Sequence, residues 1–193
     1  MSLLAETIVE EWLNRQGYFT IRGIKLGHHE IDFLAVKPQG NGAIECRHIE
    51  VQASMRPASY ISKVPKRFQK AGRAANSATR SETELVEGVA EWVQKKFREN
   101  KKIALMQSLC SGPWSTELVL NVVKCPHEVD LIRGHGIKIH DLKDIIMSLV
   151  KNRGVVKSAA GADFIELIQM GAHVDGECGR SKRGHRLRKR KEE

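Results

Sequence analysis

Two runs between Glu30 and Gln52 set carboxylates inside otherwise apolar, strand-forming sequence, and Pro38-Gln39-Gly40-Asn41-Gly42 between them is a strong turn. Glu30 to Val36 and Ala43 to Ala53 therefore read as two strands folded back on each other. Side chains alternate between the faces of a strand. Glu30, Asp32 and Leu34 thus share one face of the first strand, and Cys46, His48, Glu50 and Gln52 share one face of the second. If the strands pair across the turn, Asp32 and Glu50 become near neighbours. Two carboxylates held close repel and cost stability unless a cation lies between them. The pattern points to a hard divalent metal, Mg²⁺ or Mn²⁺, able to bind a phosphate oxygen and activate a water for in-line attack.

The surrounding periodicities predict the frame. Residues 3–16 read as a helix, with Leu4, Ile8 and Trp12 recurring every fourth residue and Val9 and Leu13 widening the stripe. Gly17 suits its C-cap. Tyr18 to Ile24 reads as a short strand and Gly27-His28-His29 as a turn, so a helix leads into a three-stranded antiparallel meander. Residues 63–77 read as a basic helix and 82–99 as another, with Leu85, Val89, Trp92 and Val93 on one stripe. Ile103 to Cys110 and Glu117 to Cys125 read as strands, Val129 to Arg133 as a helical turn and Gly136 to His140 as a short strand. Asp141 then N-caps a helix through Val150. This order predicts an α/β fold with a mixed sheet flanked by helices. Ala162 to Met170 reads as one short helix, and from Gly171 the glycine-rich basic composition predicts disorder. The organisation expected is a domain over 1–155, an extension over 156–179 and a basic tail over 180–193.

The 193 residues carry a formal charge of +9, which points towards a polyanion such as nucleic acid. From Arg180 to Glu193 there are eight basic residues and two acids, so most of the excess sits in the tail. Aromatics make up only 5%, which weakens the idea of an extended base-stacking platform. No stretch approaches the length of apolar sequence a membrane span needs, and Met1 to Trp12 lacks a basic leader region and holds three glutamates. A soluble, cytoplasmic protein with no membrane partner is the expectation. The four cysteines form no C-x-x-C pair, so neither a zinc ribbon nor disulfides are implied. Cys125-Pro126-His127 reads as a strand end followed by a helix start rather than a metal site. There is no internal repeat, P-loop or G-x-G-x-x-G run.

The pattern Glu6 … Glu30-Ile31-Asp32 … Glu50-Val51-Gln52 resembles the PD-(D/E)XK nuclease superfamily, in its variant with glutamine in place of the final lysine. Over roughly residues 3 to 150 the element order is also similar to that family's restriction endonuclease-like αβββαβ core, shared by archaeal Holliday-junction resolvases. The resemblance implies a Mg²⁺-dependent or Mn²⁺-dependent deoxyribonuclease, probing double-stranded or branched DNA as an endonuclease. It implies Asp32 and Glu50 as metal ligands, the Val51 carbonyl as a third, Gln52 in the lysine's position and Glu6 in the helix-borne acidic position. A glutamine can position water or phosphate only by hydrogen bonds, so the alternative is a non-catalytic nucleic-acid-binding module of the same fold. Glu6 also reads as an ordinary glutamate favoured by the helix dipole. Around the pair, His29, Ser54 and Arg56 are candidate phosphate contacts. Lys63, Lys66, Arg67 and Lys70 recur at helical spacing as a candidate backbone-binding face. Two cuts on opposite strands would require a homodimer.

Overall fold

A computed structural model describes residues 2–53 and 59–151, together with 163, 166, 167 and 170. The first helix, α1 (Ser2–Arg15), leads into three antiparallel strands, β1 (Phe19–Leu26), β2 (His29–Pro38) and β3 (Ile44–Gln52). Gly27 takes φ +66° in the β1–β2 turn, a left-handed conformation that suits glycine. Three helices follow: α2 (Lys66–Lys70), α3 (Glu82–Phe97) and α4 (Asn100–Leu109). Strand β4 (Trp114–Leu120), helix α5 (Pro126–Gly134), strand β5 (Lys138–Asp141) and helix α6 (Leu142–Lys151) complete the order. The five strands lie in the order β1-β2-β3-β4-β5, with β3, β4 and β5 mutually parallel. The expected α/β architecture, a mixed sheet flanked by helices, is what the chain forms.

Each face of the sheet has its own core. On one, Ala5, Ile8, Val9 and Leu13 of α1 meet Phe33, Ala35, Ile49, Val51 and Val119, with Leu142, Ile145 and Leu149 of α6 closing the layer. Leu4 is exposed, so the buried stripe of α1 is rotated by one position from the one expected. Arg15 ties the two helices together, donating from Nε to Glu11 at 2.7 Å and from Nη1 to the Leu149 carbonyl at 3.1 Å. On the other face, Val89, Val93 and Phe97 of α3 pack with Leu118, Leu120, Val129 and Ile132.

Three elements differ from expectation. Residues 103–109 are helical within α4, where a strand was expected over 103–110: the Glu99 carboxylate caps it by accepting from the Lys101 and Lys102 amides. The basic helix expected over 63–77 contracts to α2, because the chain turns at Gly72 with φ +93°. Strand β4 starts earlier and stops at Leu120, five positions before the end expected for it. By contrast, Cys125 and Pro126 open α5 and His127 bonds Glu82, so that triplet is a helix start as read. Asp141 caps α6 by accepting from the Lys143 amide at 2.7 Å.

Ser54 and Arg56 lie outside the described residues, as do the tail over 180–193 and the expected helix at 162–170 apart from four helical positions. Among the described residues, no helix is long and apolar enough to cross a membrane.

Candidate functional site

The register of the β2–β3 ladder determines the site. Leu34 pairs with His48 and Phe33 with Ile49. One step further along, Asp32 comes beside the Glu50–Val51 peptide, and its Oδ2 accepts from the Val51 N–H at 2.7 Å. The two carboxylates that the sequence alternation predicts to be neighbours are therefore brought together. Val51 contributes its amide to Asp32, while its side chain is buried in the α1-side core.

Glu50 is almost fully enclosed, at 1% exposure. Its Oε1 meets His48 Nε2 at 3.0 Å and Lys102 Nζ at 2.7 Å, and its Oε2 meets Lys96 Nζ at 2.7 Å. Lys102, itself buried, also donates to the Lys96 carbonyl at 2.8 Å, which locks the α3–α4 junction against β3. A buried charge is tolerable only when paired and hydrogen-bonded, and Glu50 has three such partners. Burial pushes its carboxyl upward, but the His48 hydrogen bond and the two ammonium charges outweigh burial and hold it at about 2. His48 is pushed down by burial. As a neutral ring it donates through Nε2 to Glu50, and its buried Nδ1 has no hydrogen-bond partner among the described residues.

Asp32 behaves in the opposite way. Burial, then the Glu50 charge, raise its carboxyl to about 6, against the lowering effects of the Val51 amide and Lys96. The lysines thus serve Glu50 and leave Asp32 short of positive charge. Carboxylates are hard donors of the kind Mg²⁺ and Mn²⁺ prefer, but both Glu50 oxygens are already engaged by His48, Lys96 and Lys102. Asp32 is the member of the pair without a lysine hydrogen bond; its Oδ2 accepts from the Val51 amide. Among the described residues, no group of three or more His, Cys, Asp or Glu gathers to hold one.

Lys96 also lines a cleft of about 990 Å³ between the end of β3, the 61–66 segment and α3. Gln52, Lys63, Lys66 and Lys95 share its wall with Glu91 and Glu99. The cleft depends on two devices. The Glu128 carboxylate accepts from the Ile61 amide at 2.7 Å, the Ser62 amide at 2.8 Å and the Ser62 hydroxyl at 2.5 Å, while Arg80 donates to the Ser62 carbonyl at 2.8 Å. Gly88 then lets this segment approach α3, since a Cβ there would stand 2.6 Å from the Lys63 carbonyl oxygen.

The other sequence candidates fall in different places. Gln52 is exposed at the cleft, and His29 lines it with Nε2 at 3.9 Å from Glu99. Lys63 and Lys66 line the cleft, Lys70 is exposed outside its wall, and Arg67 bonds Glu87 and lies over the Phe68 ring. Glu6 is held by Arg22 Nε at 3.1 Å, and its charge reaches Asp32 only as the weakest upward push. Sequence reasoning missed Lys96 and Lys102. Their only local signal is the Glu99 cap three positions before Lys102, which marks a helix start and not a buried ammonium. No protein-family model matches the chain, and no curated protein matches it.

Proposed function

We propose that this chain is a metal-dependent nuclease hydrolysing DNA phosphodiester bonds, an endonuclease on double-stranded or branched DNA. The observation that carries the reading is an acidic pair joined through Lys96 to a lysine-lined cleft. The helix, antiparallel meander and parallel β4 also fit the PD-(D/E)XK resemblance carried by Asp32, Glu50 and Gln52. Asp32 and Glu50 would hold Mg²⁺ or Mn²⁺, which supplies Lewis-acid stabilisation and an activated water. Lys63, Lys66 and Lys95 neutralise backbone phosphates along the cleft. Gln52 at the cleft wall offers an amide to a phosphate oxygen or water. Lys96 brings from α3 the positive charge that a glutamine at position 52 lacks. Cutting both strands calls for a homodimer, and the reading is of a soluble, cytoplasmic protein.

The test is cleavage of labelled duplex, single-stranded and four-way-junction DNA with Mg²⁺, Mn²⁺ or EDTA. The reading requires metal-dependent cutting that Asp32→Ala and Glu50→Ala both abolish. A second reading, a non-catalytic nucleic-acid-binding module, is favoured by one observation: lysines already engage both Glu50 oxygens. That module would bind equally well in EDTA and Mg²⁺ without cutting, and Asp32→Ala would leave its affinity unchanged or improved.

A further inference from the structure

We propose that Cys46 and Cys110 are a redox couple that hydrogen peroxide closes to an intrachain disulfide. Cys46 lies near the start of β3, and Cys110 is the C-cap of α4. They are 64 positions apart in the chain, yet their Sγ atoms lie 2.9 Å from each other. A disulfide bond is about 2.05 Å long, so closure needs less than about an ångström of approach. Both thiols are free. The backbone on each side is tied down: Trp114 Nε1 donates to the Cys110 carbonyl at 3.0 Å, and Ser115 Oγ donates to the Cys46 carbonyl at 3.4 Å.

The two sulfurs are not equivalent. Cys46 is buried, whereas Cys110 is half-buried and is the one an oxidant meets. The Cys46 S–H donates to Cys110 Sγ, which favours negative charge on Cys110 over Cys46. That hydrogen bond, with the Gly112 amide, holds the Cys110 thiol below its ordinary value, while burial pushes Cys46 up to about 12. Thiolate character and access together determine which cysteine reacts first.

The chemistry balances in two steps. The Cys110 thiolate attacks one peroxide oxygen, the O–O bond breaks, and the departing hydroxide takes up a proton to leave as water, giving a sulfenic acid at Cys110. Cys46 sulfur then attacks Cys110 sulfur, forming S–S and breaking S–O. The second hydroxide leaves as water with the Cys46 proton. Two thiols and one hydrogen peroxide become one disulfide and two waters. The loop so closed runs from β3 to the end of α4, and it contains Lys63, Lys66, Lys96 and Lys102. Oxidation therefore pins to β3 the whole segment that walls the cleft and supplies Glu50 with its ammonium partners. The couple stands independently of the nuclease reading, because its test reads a mass and a melting temperature.

The full chain is reduced, freed of reductant, treated with hydrogen peroxide, alkylated and digested for mass spectrometry. The expected product is a Cys46–Cys110 cross-linked peptide that dithiothreitol removes, accompanied by a rise in Tm of roughly 10 °C. Cys110→Ser loses the cross-link and the Tm rise, and Cys125→Ser keeps both. Full alkylation of both thiols after peroxide overturns the proposal. So does Cys110 recovered as sulfinic acid without the cross-link, or a cross-link that joins separate chains.

Discussion

Strand β3 carries a buried charge on each of its faces, and the two are managed differently. Arg47 faces the α1 layer. It donates to both Glu117 carboxylate oxygens, which also accept from Ser115 Oγ and meet His140 Nε2, each at 2.7 Å. Trp12 and Tyr18 cover the guanidinium, with its carbon 4.8 and 5.0 Å from their ring centroids. Burial pushes the Glu117 carboxyl upward, and hydrogen bonds from His140 and Arg47 hold it well below the usual carboxylate range. One acid, bonded by Arg47, Ser115 and His140, with aromatic rings over its guanidinium partner, makes a structural joint. Glu50 faces α3 and α4 with comparable satisfaction, but a second carboxylate, Asp32, lies beside it. The lysines hold Glu50 at about 2 while Asp32 rises to about 6. Two carboxylates whose environments push their pKa values apart are the arrangement on which the proposed cation chemistry rests. Glu117 and Glu50 are buried alike, and what differs is the unequal sharing of positive charge between Glu50 and Asp32.

The largest effect expected is on Glu50. Glu50→Gln strands the Lys102 ammonium in the core and should cost about 3–5 kcal/mol in urea unfolding. Adding Lys102→Met should recover most of that loss, since an apolar replacement of a buried pair is often neutral. A double variant no more stable than Glu50→Gln would mean that Glu50 acts through something other than its lysines.

Next comes Asp32, where the sign is reversed. Its carboxyl is raised from 3.8 to about 6, so between those values the folded chain binds more protons than the unfolded one. Stability from this group is present at low pH and is lost as pH rises through about 6. Asp32→Asn should therefore stabilise the protein by roughly 1–3 kcal/mol at pH 7 while abolishing cleavage. The gain should shrink to nothing near pH 4. Glu50, held low, loses its contribution below the ordinary carboxylate range in both proteins and cancels from the difference. Urea midpoints at the two pH values measure the gap, and an equal gap at both would defeat the account of Asp32.

Smaller effects map the cleft. Lys63→Ala and Lys66→Ala should each weaken nucleic-acid binding and lower the salt slope by about one. Lys70→Ala, outside the cleft wall, should change less, and equal slopes for all three would mean binding ignores the cleft. Smallest of all is Glu6→Gln. With its carboxylate held by Arg22, the change should cost less than about 1 kcal/mol and leave cleavage within a few-fold. A loss as deep as that of Asp32→Asn would return Glu6 to the site.

What could be read from residues alone follows from the range of the interactions involved. Period-two alternation and a turn rich in proline and glycine act over a few positions, so the meander and the Asp32–Glu50 neighbourhood were legible. So were α3, from the stripe of Leu85, Val89, Trp92 and Val93, and α6, with Asp141 at its start. The segment 103–110 was misread because its apolar run has no clear period and its helix is set by the Glu99 cap outside it. Lys96 and Lys102 were missed for a different reason. They reach Glu50 across 46 and 52 positions, and a lysine destined for the core has the same letter as one on the surface. The Cys46–Cys110 pair was hidden in the same way.

The position of β3 between an antiparallel and a parallel neighbour also has a consequence for the order of events during synthesis. The β1–β3 hairpins close short loops and can pair as soon as they leave the ribosome, on the microsecond scale of hairpin formation. In a β2–β3 hairpin formed that early, Asp32 and Glu50 would face each other before Lys96, Lys102 and β4 are made. Like charges so held repel, so the pairing of β2 with β3 at this point gains from the lysines that α3 and α4 later bring to Glu50. The acid pair thereby links the stability of the meander to elements made after it.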